Sequence, residues 1–345
     1  MKRKAVSMIL AVTMVATMAV GCGGSKTETA DTTAPADDAA AEETTEADAA
    51  DAEDTADAAA DAVDGDLADK KVGVCIYQFS DNFMTLFRTE LQSYLESKGF
   101  KAENIKIVDG ANDQATQSGQ IDNFITEGVD VMIVNPVNSS SAATITDKVV
   151  DAGIPLVYIN REPDETEEQR WADNNWDVTY VGCDARQSGT FQGEIISDLG
   201  LDALDFNGNG KVDYIMVEGD PENVDAQYRT EFSVKALEDA GLEVSCLTDQ
   251  VGNWQQDQAQ QIVANALGQY GNDVEVVFCN NDAMAMGALQ AIQSAGRTVG
   301  KDIYLVGVDA LSEALEAVIA GNRPVLYSTI TSLSPTVQLM QQSTT

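Results

Sequence analysis

The chain contains no histidine among its 345 residues. That removes Ser–His and Cys–His relays, His-Glu-x-x-His zinc sites and every imidazole general base. Positive charge is scarce as well: 20 Lys and Arg stand against 57 Asp and Glu, a formal net charge of −37 at pH 7. Nucleic acid demands a basic surface against its phosphates, so no nucleic-acid partner is expected. Five cysteines are too few to staple a chain of this size. There is no Walker A pattern, and Gly208-x-Gly210 lacks the third glycine of a dinucleotide fingerprint. Hydrophobic residues still make up 44%. That is enough for a sizeable core, and the length predicts more than one domain.

What is present begins with an export pattern. Met1-Lys2-Arg3-Lys4 is basic, and the stretch from Ala5 to Val20 is apolar apart from Ser7, Thr13 and Thr17. The run is shorter than the roughly 20 residues of a membrane span and has the layout of a secretory signal. Ala19-Val20-Gly21-Cys22 resembles a bacterial lipobox. Residues 1–21 are therefore expected to be a lipoprotein signal peptide and Cys22 the lipidated residue, which would anchor the protein to the outer face of the cell membrane. From Ser25 to Asp66, 15 acids face Lys26 alone, with no aromatic residue. Such a composition cannot offset its ordering entropy by burial. Residues 22–68 are expected to form a lipid-anchored, disordered acidic linker.

The remainder alternates. Apolar runs recur at Val72–Tyr77, Ile105–Val108, Val129–Val134, Ile154–Ile159, Val178–Val181, Val212–Val217, Leu242–Leu247, Val274–Phe278 and Ile303–Val308, with amphipathic helical stretches between them. Continuous apolar strands alternating with helices predict an α/β chain whose parallel sheets are covered on both faces. The stretch from Arg161 to Asp177, acidic and carrying two tryptophans, reads as an irregular seam between two lobes, 69–160 and 161–326. Cys75, Cys183, Cys246 and Cys279 fall in or beside strands and read as buried free thiols.

In open parallel sheets, ligands bind beyond the carboxyl ends of the strands. Here those ends lead into Gln78-Phe79-Ser80-Asp81-Asn82-Phe83, Asn135, Asn160-Arg161-Glu162, Glu218-Gly219-Asp220, Asn280-Asn281-Asp282 and Asp309. Carboxylates, amides and guanidinium groups offer donors and acceptors at fixed angles to a neutral ligand covered in hydroxyls. Aromatic rings such as Phe83 and Trp254 suit its apolar faces. Asp81, Asp225 and Asp282 could equally be helix caps, and a cap can also face a ligand.

The segments Ile76-Tyr77-Gln78-Phe79-Ser80-Asp81-Asn82-Phe83-Met84, Asn280-Asn281-Asp282-Ala283-Met284-Ala285-Met286-Gly287-Ala288 and Val306-Gly307-Val308-Asp309-Ala310-Leu311 resemble the galactose/glucose-binding proteins of bacterial ABC importers. The resemblance runs from about Lys71 to Gly321. It implies two doubly wound lobes joined by a hinge, the type I periplasmic binding protein fold, with D-galactose or D-glucose held in the cleft. It further implies that Asp81 and Asn135 bond the sugar from the N-terminal lobe while Phe83 stacks on one face. From the C-terminal lobe, Asp225, Arg229, Asn281 and Asp309 would be polar partners, and Trp254 would stack on the other face. Asn223 stands where the family has a histidine, and its amide can still bond a hydroxyl. The implied partners are the hexose, the membrane subunits of an ABC permease and a chemoreceptor. The competing readings are a sugar-acting hydrolase, which needs a carboxylate pair, and a binder of a different sugar, a pentose or signalling furanose.

Asp205-Phe206-Asn207-Gly208-Asn209-Gly210-Lys211-Val212-Asp213 spaces oxygen ligands like a calcium loop. Asp205, Asn207, Asn209 and Asp213 would supply side-chain oxygens and Lys211 its carbonyl. The usual last glutamate is missing, and the resemblance implies that Glu275 replaces it around a structural Ca2+. After Arg323 the chain departs from the family pattern, with Thr329 where an asparagine would contact the sugar. Residues 327–345 are thus expected to be a truncated or aberrant hinge return that leaves the N-terminal lobe short of an edge.

Overall fold

A computed structural model describes residues 67–319. The signal segment with Cys22, the acidic stretch up to Asp66 and the hinge return with Thr329 lie outside the described residues. All nine expected strands are present: β1 (Val72–Ile76), β2 (Ile105–Asp109), β3 (Val131–Val134), β4 (Leu156–Ile159), β5 (Val178–Val181), β6 (Val212–Glu218), β7 (Val244–Val251), β8 (Val276–Cys279) and β9 (Tyr304–Val306). They form two parallel sheets, ordered β2-β1-β3-β4-β5 and β7-β6-β8-β9. β1 is buried at every position, and so is β8. That is why they read as unbroken apolar runs and not as alternation.

The helices are α1 (Asn82–Ser97), α2 (Gln114–Glu127), α3 (Ala142–Asp151), α4 (Glu165–Asn174), α5 (Ala185–Ser197), α6 (Leu201–Leu204), α7 (Val224–Asp239), α8 (Gln256–Tyr270), α9 (Asp282–Ser294) and α10 (Ser312–Ile319). Side-chain caps set many of the starts. Asp81 accepts from the Met84 amide at 2.7 Å, Asn223 from Asp225 at 3.0 Å and Asn281 from Met284 at 3.0 Å. Of the three acids that could have been caps, only Asp81 is one. The asparagines cap α7 and α9, which leaves the carboxylates of Asp225 and Asp282 for other work. None of the described helices is long and apolar enough to cross a membrane.

The expected seam at 161–177 is corrected. Residues 165–174 form α4, whose Trp171 is buried and stacked on Tyr158 with ring centroids 5.3 Å apart. β5 then pairs with β4, Leu156 opposite Val178. The first sheet therefore runs on to Val181, and the second lobe begins with α5, not at Arg161. Acidic residues hid the helix: Glu165, Glu167 and Glu168 crowd its first turn, where they favour the helix dipole but break any apolar stripe. Cys75 and Cys279 are buried as expected, but Cys183 is half-buried and Cys246 is exposed on β7.

One close approach positions the second lobe's polar residues. A Cβ at Gly193 would fall 2.2 Å from the Ser233 carbonyl, and one at Gly189 would fall 2.9 Å from that of Arg229. The missing side chains let α5 lie directly against α7, which fixes the helix face that carries Asp225 and Arg229.

Candidate functional site

The carboxyl ends of both sheets open onto one pocket, whose enclosed space is about 30 Å³ as the lobes stand. It is lined by Asp81, Phe83, Asn223, Asp225, Arg229, Trp254, Asn281 and Asp309 from the expected set. Phe83 and Trp254 are each 7% exposed and come from different lobes. A Cβ at Gly219 would lie 2.2 Å from Trp254 Cζ2, so glycine there lets the indole lie flat on the backbone.

The expected ligand contact Asn135 is not among the residues that line the pocket. Its side chain is wholly engaged by protein: Oδ1 accepts from the Tyr77 amide at 3.2 Å, and Nδ2 donates to Ile159 O and to Asn160 Oδ1, both at 3.1 Å. It braces the ends of β1 and β4 from behind. Two lining residues escaped the sequence reading, Tyr77 and Met84. Asn160 and Arg161 also line the pocket; the sequence placed them at the ligand edge after β4 but not among the named sugar contacts.

Charges in the pocket compensate one another. Arg229 Nη1 donates to the Asn280 carbonyl at 2.8 Å. The guanidinium lies 3.6 Å from Asp225 and 3.9 Å from Asp309 and 5.7 Å from the Trp254 ring centroid. Burial pushes the Asp225 and Asp309 carboxyls above their ordinary values, well above for Asp309, while Arg229 pulls both back down. Tyr77 donates its hydroxyl to Asp81 Oδ2 at 2.6 Å, and burial holds its phenol well above the usual range, so it remains a donor. Several buried polar atoms at the pocket have no partner among the described residues: Asp225 Oδ1, Arg229 Nε, and Arg161 Nε and Nη2. Unmet buried groups are costly, and these atoms are free to bond a polar ligand or water. Asn160, Trp254 and Asp309 also have positive φ, at 62°, 64° and 118°. Such conformations cost about 1–3 kcal/mol each and gather at ligand sites.

Residues 72–332 match the family model of the periplasmic binding protein domain. The chain belongs to this family. As a periplasmic binding protein it is a binder and not an enzyme, which sets aside the hydrolase reading. It is 34% identical over 261 residues to the D-galactose/methyl-galactoside binding periplasmic protein of Haemophilus influenzae, covering 74% of this chain and 75% of that one. It is 35% identical over 260 residues to a Rhizobium meliloti protein provisionally named for rhizopine binding, covering 74% and 77%. A solved ABC transporter solute-binding protein from Bacillus halodurans, with bound myo-inositol, superposes with a TM-score of 0.62 at 28% identity, covering 75% of this chain and 82% of that one.

The expected calcium loop folds around Asp205, whose carboxylate accepts the amides of Gly208 at 2.6 Å, Asn209 at 3.0 Å and Gly210 at 2.9 Å. Glu275 does reach the loop: it accepts from Phe206 at 2.6 Å, Asn207 at 3.2 Å and Asp213 at 2.9 Å. Asn207 and Asn209 donate their amide nitrogens to Asp213 at 2.7 and 2.6 Å. Among the described residues no three acidic or thiol side chains gather as a metal cluster.

Proposed function

We propose that this chain is the extracytoplasmic substrate-binding lipoprotein of an ABC importer, closing on D-galactose or D-glucose and delivering it to the membrane permease. Its coarser class, a solute-binding protein of ABC sugar importers, rests on the family and relatives above. The observation that carries the hexose reading is the pocket itself. Two aromatic rings from opposite lobes and a charge-compensated set of carboxylates, amides and guanidinium groups enclose a space with unmet donors and acceptors. A neutral polyhydroxylated ring meets that demand without adding charge to a dry site. A second reading, a cyclic polyol such as myo-inositol, is favoured by the Bacillus halodurans structure. Calorimetry with D-galactose, D-glucose, myo-inositol and D-ribose tests both. Heat from either hexose supports the proposal. Silence from both hexoses with saturable heat from another of the four overturns it.

Three additions complete the proposal. Cys22 would carry the lipid anchor, and Cys22→Ala should release the protein from the membrane fraction; retention there would defeat the anchor. A chemoreceptor is a further candidate for the closed form. The 205–213 loop with Glu275 would hold a structural Ca2+ through Asp205, Asn207, Asn209, the Lys211 carbonyl, Asp213 and Glu275. The donors are hard oxygens, as calcium requires. As the loop stands, Asn207 Oδ1 accepts the Asn209 amide at 3.0 Å and Asn209 Oδ1 the Lys211 amide at 2.8 Å, and each oxygen keeps a second lone pair that a shift of the side chain could turn to the ion. A bound cation would neutralise the carboxylates of Asp205, Asp213 and Glu275. Calcium should raise the melting temperature and a chelator should lower it, with Glu275→Gln insensitive to both. A melting temperature that ignores calcium would remove the ion from the proposal.

A further inference from the structure

Arg161 spans the two lobes. It follows β4 of the first sheet, and its Nη1 donates to the Val137 carbonyl in the same lobe. The same nitrogen bonds Asp220 Oδ2 at 3.0 Å, and Asp220 follows β6 of the second sheet. The guanidinium lies 3.8 Å over the Tyr77 ring, which limits its freedom to swing away. Its side chain is 1% exposed, yet Nε and Nη2 have no partner among the described residues, and the residue lines the pocket.

Asp220 is not in the pocket lining. Its second oxygen accepts the Glu222 amide at 3.0 Å, and its carbonyl accepts the Asn223 amide at 2.9 Å. It thus anchors the start of the loop that brings Asn223, Asp225 and Arg229 to the ligand. We propose that Asp220 is a closure-sensing positioning residue, which through Arg161 ties the second lobe's ligand-bearing loop to the first lobe only once the lobes have met over a ligand. When the lobes part, water solvates both partners and the pair contributes little. When they close empty, the unmet Nε and Nη2 of Arg161 penalise the dry state. A ligand hydroxyl accepting from those groups removes the penalty and leaves the Asp220 contact intact. One rigid guanidinium therefore couples occupancy to closure. The ligand half of this coupling rests on the proposed function above; the interlobe half rests on geometry alone.

Because Asp220 would act after encounter, its signature is kinetic. Stopped-flow tryptophan fluorescence on the full chain with D-galactose should show Asp220→Asn dissociating about tenfold faster, with association changed less than about twofold. Asp220→Glu should recover most of the loss, and the unliganded melting temperatures should agree. Unchanged dissociation in Asp220→Asn, a loss carried by association, or an equal defect in Asp220→Glu would overturn the proposal. A wild type that ignores both D-galactose and D-glucose defeats the hexose reading, and the same kinetics are then run with myo-inositol. Failure of all three ligands removes the Asp220 proposal as well.

Discussion

Arg229→Met takes away the guanidinium held between Asp225 and Asp309. The separations are 3.6 and 3.9 Å. At an effective dielectric of about 20, each attraction is about 4 kcal/mol before desolvation is counted. Desolvation of the arginine offsets much of that, and removing one partner of a buried pair costs about 3–5 kcal/mol net. Methionine keeps the apolar stem, so packing changes little. One smaller loss has no pH dependence: the Asn280 carbonyl gives up its 2.8 Å bond, worth about 1 kcal/mol. The ionic part does depend on pH. Burial already raises both carboxyls and Arg229 opposes it, so deletion lets both rise further. A carboxyl raised in the folded state binds more protons there than in the unfolded chain. Stability therefore falls as pH climbs from the unfolded value through the folded one. Urea unfolding should show Arg229→Met destabilised by about 3 kcal/mol or more at pH 8 and by about 1–2 kcal/mol at pH 5. An equal deficit of about 1 kcal/mol at both pH values would reduce Arg229 to a hydrogen-bond donor to Asn280 and refute the paired-charge account of the pocket.

Phe83→Ala and Trp254→Ala should each weaken hexose capture by about 10–100-fold, as loss of about 1.5–3 kcal/mol of ring burial requires; unchanged calorimetric affinity in the double variant would sink the sandwich. Gly219→Ala should displace Trp254, since the new Cβ would fall 2.2 Å from the ring, and cost at least about tenfold in affinity. Gly268→Ala, which meets nothing within 4 Å, serves as the control and should bind normally. Burial pushes Asp282 and Glu162 up to about 7 and Asp249 up to about 6. All three take up protons in the folded state as pH falls, so the melting temperature should rise from pH 8 to pH 6, with a shallower rise in Asp282→Asn. A flat profile over that window would show that these carboxyls are better solvated than their burial implies.

The fold was readable because its signal is redundant. Nine apolar runs separated by helical stretches leave few arrangements other than covered parallel sheets, and the polar residues after those runs mark the ligand edge. The seam failed for a local reason. Helix α4 draws its start from Asp164 capping and acids in the first turn, and it buries little beyond Glu167 and Trp171, so no apolar period announces it. Asn135 and Arg161 show the limit within the site. Both follow strands of the first sheet, and nothing in their local sequence says which side chain turns inward. The difference is tertiary. The amide after β3 is short enough to be consumed by the backbones of β1 and β4. The guanidinium after β4 is long enough to cross to Asp220 and still present two unmet nitrogens to the pocket. Strand position thus nominates the residues that can reach a ligand, while side-chain length and the neighbouring strand's hydrogen-bond demand decide which of them do. Asn135→Ala should on this reasoning impair folding stability before it impairs affinity, because it unbinds the Tyr77 amide and leaves that donor buried without a partner, at a cost of about 1–3 kcal/mol. Loss of affinity at unchanged stability would return Asn135 to the ligand shell.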